Sequence, residues 1–276
     1  MNFLEFEFET ESRSQLEQLV ALLHVQDFEG FEEEENTLKA FIAETRFDEA
    51  GFTEVLDRFA SINYTRTVIE QVNWNQQWEE GFRPVIIDEF AAIRADFHEA
   101  ISGVEHEVII TPKMSFGTGH HATTFLMIRQ MKDVDFTGKS VLDFGTGTGV
   151  LAILAEKCGA QEILAIDYDE WSIVNTRENL ERNNSEAVEV AMMDTIPAAK
   201  SFDIILANIN LNILTAHMKA IAAATKPGGT ILFSGFLYHD EEQMKDSIQQ
   251  AGLQFLSTSQ RGDWISIVAK DTGLMK

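Results

Sequence analysis

Apolar residues at the start of the chain, Phe3, Leu4, Phe6 and Phe8, are interleaved with Glu5, Glu7 and Glu9, the period of a strand with one buried face. Leu16, Leu19, Val20 and Leu23 then recur at helical spacing. Residues 27–33 and 37–43 read as a strand pair around Glu34-Glu35-Asn36, and Asp48 is placed to cap a helix running to Phe59. Tyr64 to Ile69 closes the series as a strand. The order β-α-β-β-α-β predicts a small ferredoxin-like α+β domain over residues 1–70.

Residues 71–81 are polar but carry Trp74 and Trp78 four apart, on one face of a helix, and read as a linker helix. From residue 82 to 276 the pattern becomes α/β. Strand-like runs at 107–111, 139–143, 162–167, 188–191, 202–208, 229–234, 253–258 and 264–269 alternate with helical runs at 121–132, 149–158, 170–183, 211–224 and 240–251. Such alternation predicts a doubly wound, mostly parallel sheet with helices on both faces. The last two runs, joined by Gln260-Arg261-Gly262-Asp263, predict an antiparallel edge hairpin. Lys226-Pro227-Gly228-Gly229 marks a tight turn.

Charge adds one feature to this outline. Of the net −24, half lies in the first 70 residues, where 17 Asp and Glu face 5 Lys and Arg. That balance argues against direct nucleic-acid binding and favours a basic partner, whose approach long-range attraction would speed. No apolar run is long enough to span a bilayer, and Met1 to Glu7 lacks the basic start and apolar core of a signal peptide. The single cysteine, Cys158, permits no internal disulfide, so a reducing cytoplasm is expected; no membrane association and a monomeric state are expected as well.

The chemistry concentrates at predicted strand ends. Val141-Leu142-Asp143-Phe144-Gly145-Thr146-Gly147-Thr148-Gly149 reads as a buried strand opening through a glycine loop into a helix. Its third glycine lies at +4 from the first, one residue short of the dinucleotide-binding spacing. Asp143, two positions before Gly145, suits a pyrophosphate poorly and a cation well. S-adenosylmethionine, with a sulfonium and an ammonium, fits that preference. Asp167 ends the next strand 22 residues past Gly145, where a carboxylate can accept both hydroxyls of a ribose.

Asn208 follows the apolar strand 202–208, where an amide is costly to bury without partners. Its oxygen can accept N–H bonds from an amine and so aim the nitrogen lone pair at a methyl donor, making Asn208 the expected catalytic residue. Upstream, Gly117 and Gly119 predict a tight loop that closes over the cofactor, with Thr124 in the first turns of the following helix. The adjacent His120 and His121 have no Cys or carboxylate at ligand spacing, so no metal site is expected.

The segment Phe116-Gly117-Thr118-Gly119-His120-His121-Ala122-Thr123-Thr124, the loop Asp143 to Gly149 and Ala207-Asn208-Ile209 together resemble the ribosomal protein L11 methyltransferase family. The likeness covers nearly the whole chain. It implies a class I methyltransferase domain that uses S-adenosylmethionine to methylate the α-amine and lysine side chains of a basic large-subunit ribosomal protein, recognised through the small domain. Matching motifs imply cofactor contacts from Thr124, Gly145, Gly147, Asp167 and Asn208. Asp167-Tyr168-Asp169-Glu170 lacks the proline that often follows this acidic pair in the family. Other substrates, a nicotinamide-dependent oxidoreductase disfavoured by the glycine spacing, and a non-catalytic ribosome-associated module are the alternatives.

Overall fold

The computed structural model describes residues 2–34, 36–59, 62–69, 82–112 and 117–273, in two compact units, Met1–Gly81 and Phe82–Lys276. The linker helix expected over 71–81, with Trp74 and Trp78, lies outside the described residues.

The first unit runs β1 (Phe3–Glu9), α1 (Arg13–Val25), β2 (Gly30–Glu33), β3 (Thr37–Ala43), α2 (Glu49–Leu56) and β4 (Asn63–Ile69). Its sheet order, β2-β3-β1-β4 with all neighbours antiparallel, is the ferredoxin-like arrangement. Leu4, Phe6 and Phe8 are buried, and the Phe6 ring lies 4.6 Å from Phe52 of α2. The two-residue period therefore turns Glu5, Glu7 and Glu9 to the opposite face of the sheet. Asp48 caps α2, accepting the amides of Ala50 and Gly51 at 3.1 Å. Strand β2 starts at Gly30 rather than residue 27, because Asp27 takes a left-handed turn (φ 63°) and Phe28 drops into the core.

The second unit continues with β5 (Val85–Ile87), β6 (Ala91–Ala95), β7 (His106–Ile110), α3 (Ala122–Met131), β8 (Ser140–Phe144), α4 (Val150–Lys157), β9 (Glu162–Asp167), α5 (Glu170–Asn183), β10 (Val188–Met192), β11 (Phe202–Asn208), α6 (Leu211–Ala224), β12 (Thr225–Leu237), α7 (Glu241–Gln250), β13 (Leu253–Arg261) and β14 (Trp264–Asp271). Seven strands form one sheet in the order β10-β9-β8-β11-β12-β14-β13. The first five are parallel and β14 and β13 add the antiparallel edge. The chain fills one half of the sheet from β8 outward through β9 and β10, then returns to β11, so the topological switch lies between β8 and β11.

Alternate residues of the central strands point to opposite layers. Val141, Ile204 and Leu206 pack with Met127, Met131, Leu151 and Leu154 on one side. Leu142, Phe144, Ile205 and Ala207 pack with Leu214, Met218, Ile221, Met244 and Ile248 on the other. The Lys226–Gly229 turn falls inside β12 as an irregularity, since Thr225 pairs with Phe202 and pairing resumes at Thr230 with Ile204.

One expectation needs correction. The run at 107–111 does not join the main sheet; it is β7 of a separate three-stranded sheet, β5-β6-β7. β5 has only three residues, and β6, Ala-Ala-Ile-Arg-Ala, is buried on both faces and shows no alternation, so neither carried a strand period. Among the described residues no helix is long and apolar enough to cross a membrane.

Candidate active site

The glycine loop joins β8 to α4 at the switch point. Gly145, Gly147 and Gly149 all have positive φ (78°, 57° and 80°), a region that L side chains rarely adopt. A Cβ on Gly145 would fall 2.1 Å from Ile209 Cγ2, so the residue must also be small for β8 and β11 to exit side by side. The loop is held from three directions. Gly145 and Thr146 donate their amides to the Ile166 carbonyl, Thr176 Oγ1 donates to the Gly147 carbonyl at 2.8 Å, and Asn179 Nδ2 donates to the Thr148 carbonyl at 2.8 Å.

Asp143 lies beneath this loop and is 1% exposed. Thr146 Oγ1 donates to its Oδ2 at 2.7 Å, while Oδ1 has no partner. Burial pushes its carboxyl up to about 7; the Thr146 hydroxyl opposes the rise and the Asp167 charge adds to it. Asp143 is not among the residues lining the cavity above; it sits below the loop.

Asp167 ends β9 and lines the cavity. Its Oδ2 accepts the Gly147 amide at 3.0 Å and its Oδ1 accepts the Asp169 amide at 3.1 Å. The two bonds fix the carboxylate plane and leave a lone pair on each oxygen for a ligand. Gly147 also lines the cavity, but its amide is directed at Asp167 rather than outward.

Asn208 ends β11, across the switch point from Gly145, and also lines the cavity. Its Nδ2 donates to Thr124 Oγ1 at 3.3 Å, and its Oδ1 is buried without a partner. Thr124, fully buried in the first turn of α3, stands behind Asn208 and is not itself a lining residue. The structure thus brings Gly145, Gly147, Asp167 and Asn208 to one cavity and couples Thr124 to it through Asn208.

The cavity measures about 650 Å³. Three carboxylates, Asp167, Asp169 and Asp194, lie on its wall, and no Lys or Arg lines it among the described residues. His121 caps α3 through Nδ1, which accepts from Thr123, and its ring meets Trp264 edge-on at 4.5 Å. Burial holds its pKa below the usual imidazole range. His120 instead packs against Phe82, with ring centroids 4.7 Å apart. Met193, Asp194 and Thr195 follow β10, a fourth parallel strand end that the strand-end rule could have flagged in the sequence. Trp264 had no such signal, because only the antiparallel insertion of β14 beside β12 brings it to the cavity.

A glycine loop at the switch point, a carboxylate at the next strand end and an acidic wall fit an adenosine bearing a cationic sulfur, with the orphaned Asn208 oxygen left for an N–H donor. Class I methyltransferases dependent on S-adenosylmethionine are built on this plan, and the second unit is one of them. Residues 6–272 match the family described as ribosomal protein L11 methyltransferase (PrmA). The chain is 38% identical over 247 residues to the ribosomal protein L11 methyltransferase of Phocaeicola vulgatus, covering 87% of this chain and 88% of that one. It is 36% identical over 276 residues to that of Bacteroides fragilis, covering 97% and 99%. The crystal structure of ribosomal protein L11 methylase from Lactobacillus delbrueckii subsp. bulgaricus superposes with a TM-score of 0.63 at 25% identity, over 69% of this chain and 100% of that one. The chain belongs to the ribosomal protein L11 methyltransferase family.

Proposed function

We propose that this protein methylates amines of ribosomal protein L11, its α-amine and lysine side chains, with Asn208 as the catalytic residue. The observation that carries the catalytic role is the Asn208 Oδ1: a buried acceptor on the cavity wall, without a protein partner. A buried acceptor left unsatisfied costs about 1–3 kcal/mol. An amine N–H of the substrate supplies the missing bond.

Gly145, Gly147 and Asp167 are the residues we assign to the cofactor, Asp167 through its free lone pairs to the ribose hydroxyls. S-adenosylmethionine supplies an electrophilic methyl group on a positively charged sulfur. Asn208 then holds one N–H of the acceptor so that the nitrogen lone pair faces that methyl carbon, and orientation of this kind supplies a large share of an enzyme's rate. Thr124 Oγ1 holds the amide from behind, accepting from Nδ2, and we assign the oxygen to the substrate.

The attacking nitrogen must be neutral. At pH 7 roughly one-tenth of an α-amine is neutral, against about one part in a few thousand for a lysine. We assign the proton to water: of the two histidines lining the cavity, His121 Nδ1 is engaged by Thr123 and the His217 ring packs edge-on against Phe144 at 5.3 Å. The small unit, with Glu5, Glu7 and Glu9 on the sheet face away from its core, is the part we assign to recognising the basic substrate. We take one chain to be the working unit.

The test is incubation with labelled S-adenosylmethionine and purified L11, followed by mass spectrometry of the product. Methyl groups on L11 amines are expected. Transfer to other proteins but not to L11 would reject the substrate and leave the methyltransferase reading standing.

A further inference from the structure

Helix α5 carries Asn175, Asn179 and Asn183 at four-residue spacing, and all three turn toward the free edge of β7. Four residues of helix advance about 6 Å and two residues of strand about 6.6 Å, so such a stripe can serve alternate residues of a strand. Asn183 takes both polar groups of Ile109: its Oδ1 accepts the amide at 2.9 Å and its Nδ2 donates to the carbonyl at 2.6 Å. Asn175 Nδ2 donates to the Thr111 carbonyl at 3.2 Å.

Asn179 differs from its neighbours. Its Oδ1 accepts the Thr111 amide at 2.7 Å, but its Nδ2 donates to the Thr148 carbonyl, inside the glycine loop, at 2.8 Å. The side chain is fully buried, so neither bond competes with water. Thr148 is gripped a second time through its hydroxyl, which donates to the Gly117 carbonyl at 2.9 Å. One amide thus ties the exit of β7 to the loop between Gly147 and Gly149.

We infer that Asn179 is a positioning residue for the methyl-transfer reaction, setting the glycine loop in its cofactor-binding shape through Thr148. The inference rests on the cofactor reading above and adds a residue that does not line the cavity. Gly147 and Gly149 hold left-handed backbone that the loop sequence alone does not lock, because glycine visits many other conformations. Thr176 and Asn179, one turn apart on α5, each take one carbonyl of this stretch. Asn183 serves as the internal control, since it grips the same strand and does not reach the loop.

The experiment compares Asn179→Ala, Asn179→Asp and Asn183→Ala with the natural protein. Cofactor Kd is read by calorimetry, and amide hydrogen exchange at residues 145–149 is read in the cofactor-free protein. Asn179→Ala is expected to weaken S-adenosylmethionine binding by about tenfold or more and to speed exchange in the loop. Asn179→Asp keeps the acceptor for Thr111, loses the donor to Thr148, and is expected to weaken binding to the same degree. Asn183→Ala is expected to lower the unfolding temperature while leaving Kd within about twofold and loop exchange unchanged. Equal Kd changes for Asn179→Ala and Asn183→Ala, or an unchanged Kd for a folded Asn179→Asp, would overturn the assignment. Absence of binding by the natural protein would instead defeat the cofactor reading on which it rests.

Discussion

The amide nitrogen of Asn208 donates to the hydroxyl of Thr124 at 3.3 Å, across 84 positions of sequence. That bond holds the plane of the side chain, with its nitrogen on the hydroxyl. With the nitrogen bound, the carboxamide presents its oxygen as an acceptor, and an acceptor holds a neutral amine better than a donor would.

Thr124→Val keeps the shape of the side chain and removes the acceptor. Asn208 then loses its fixed orientation, and kcat on L11 is expected to fall about tenfold, equivalent to about 1.4 kcal/mol. Thr124→Ser should stay within about threefold of the natural enzyme. Asn208→Ala should lower kcat by about a hundredfold while moving cofactor Kd far less. Steady-state kinetics beside calorimetry separates the two effects, and full turnover by Asn208→Ala would remove its catalytic role.

Gly145→Ala meets two obstacles, a φ of 78° and a Cβ position 2.1 Å from Ile209 Cγ2. We expect a loss of about 1–3 kcal/mol in stability and at least a tenfold weaker cofactor. Adding Ile209→Ala removes the contact but not the backbone strain, so the double variant should recover only part of the stability. Full recovery in thermal unfolding would show that the backbone at 145 is not constrained.

Asp143 links stability to pH. Burial raises its folded-state carboxyl to about 7, against about 4 for an ordinary aspartate in the unfolded chain. The folded protein therefore holds a proton that the unfolded chain releases, and this stabilisation is complete below about pH 4 and lost as the pH rises toward 7. Asp143→Asn removes the dependence, so its unfolding temperature relative to the natural protein should rise across that window. Parallel curves would mean that Asp143 ionises in the fold as it does in water.

Glu5, Glu7 and Glu9 stand opposite Phe41, Lys39 and Thr37 on one side and Thr67, Thr65 and Asn63 on the other, in register across the sheet. Replacing all three with Gln should raise KM for L11 by roughly tenfold at low salt and flatten its dependence on ionic strength. Cofactor Kd should not move. An unchanged KM would place substrate recognition elsewhere.

Much of this protein can be read along the chain wherever the signal is local. Alternation over Leu4, Phe6 and Phe8, the cap at Asp48, and the strand–glycine–helix junction at 141–150 each depend on neighbours a few residues apart. Local pattern also marked Asp167 and Asn208, because a polar residue ending an apolar strand is conspicuous whatever lies beside it. Tertiary structure decided what those residues face. Folding carries Asp143 under the glycine loop, since β8 is covered on both sides before its end, and burial there raises its pKa. It sets Thr124 behind Asn208, and it brings Trp264 in on β14, inserted between β12 and β13. It also gives the asparagines of α5 their purpose: β7 ends a small sheet, and its unpaired edge needs partners that no strand provides. Periodicity records which side of an element is buried; the partner on that side is set by the crossing of distant strands, which leaves no local trace.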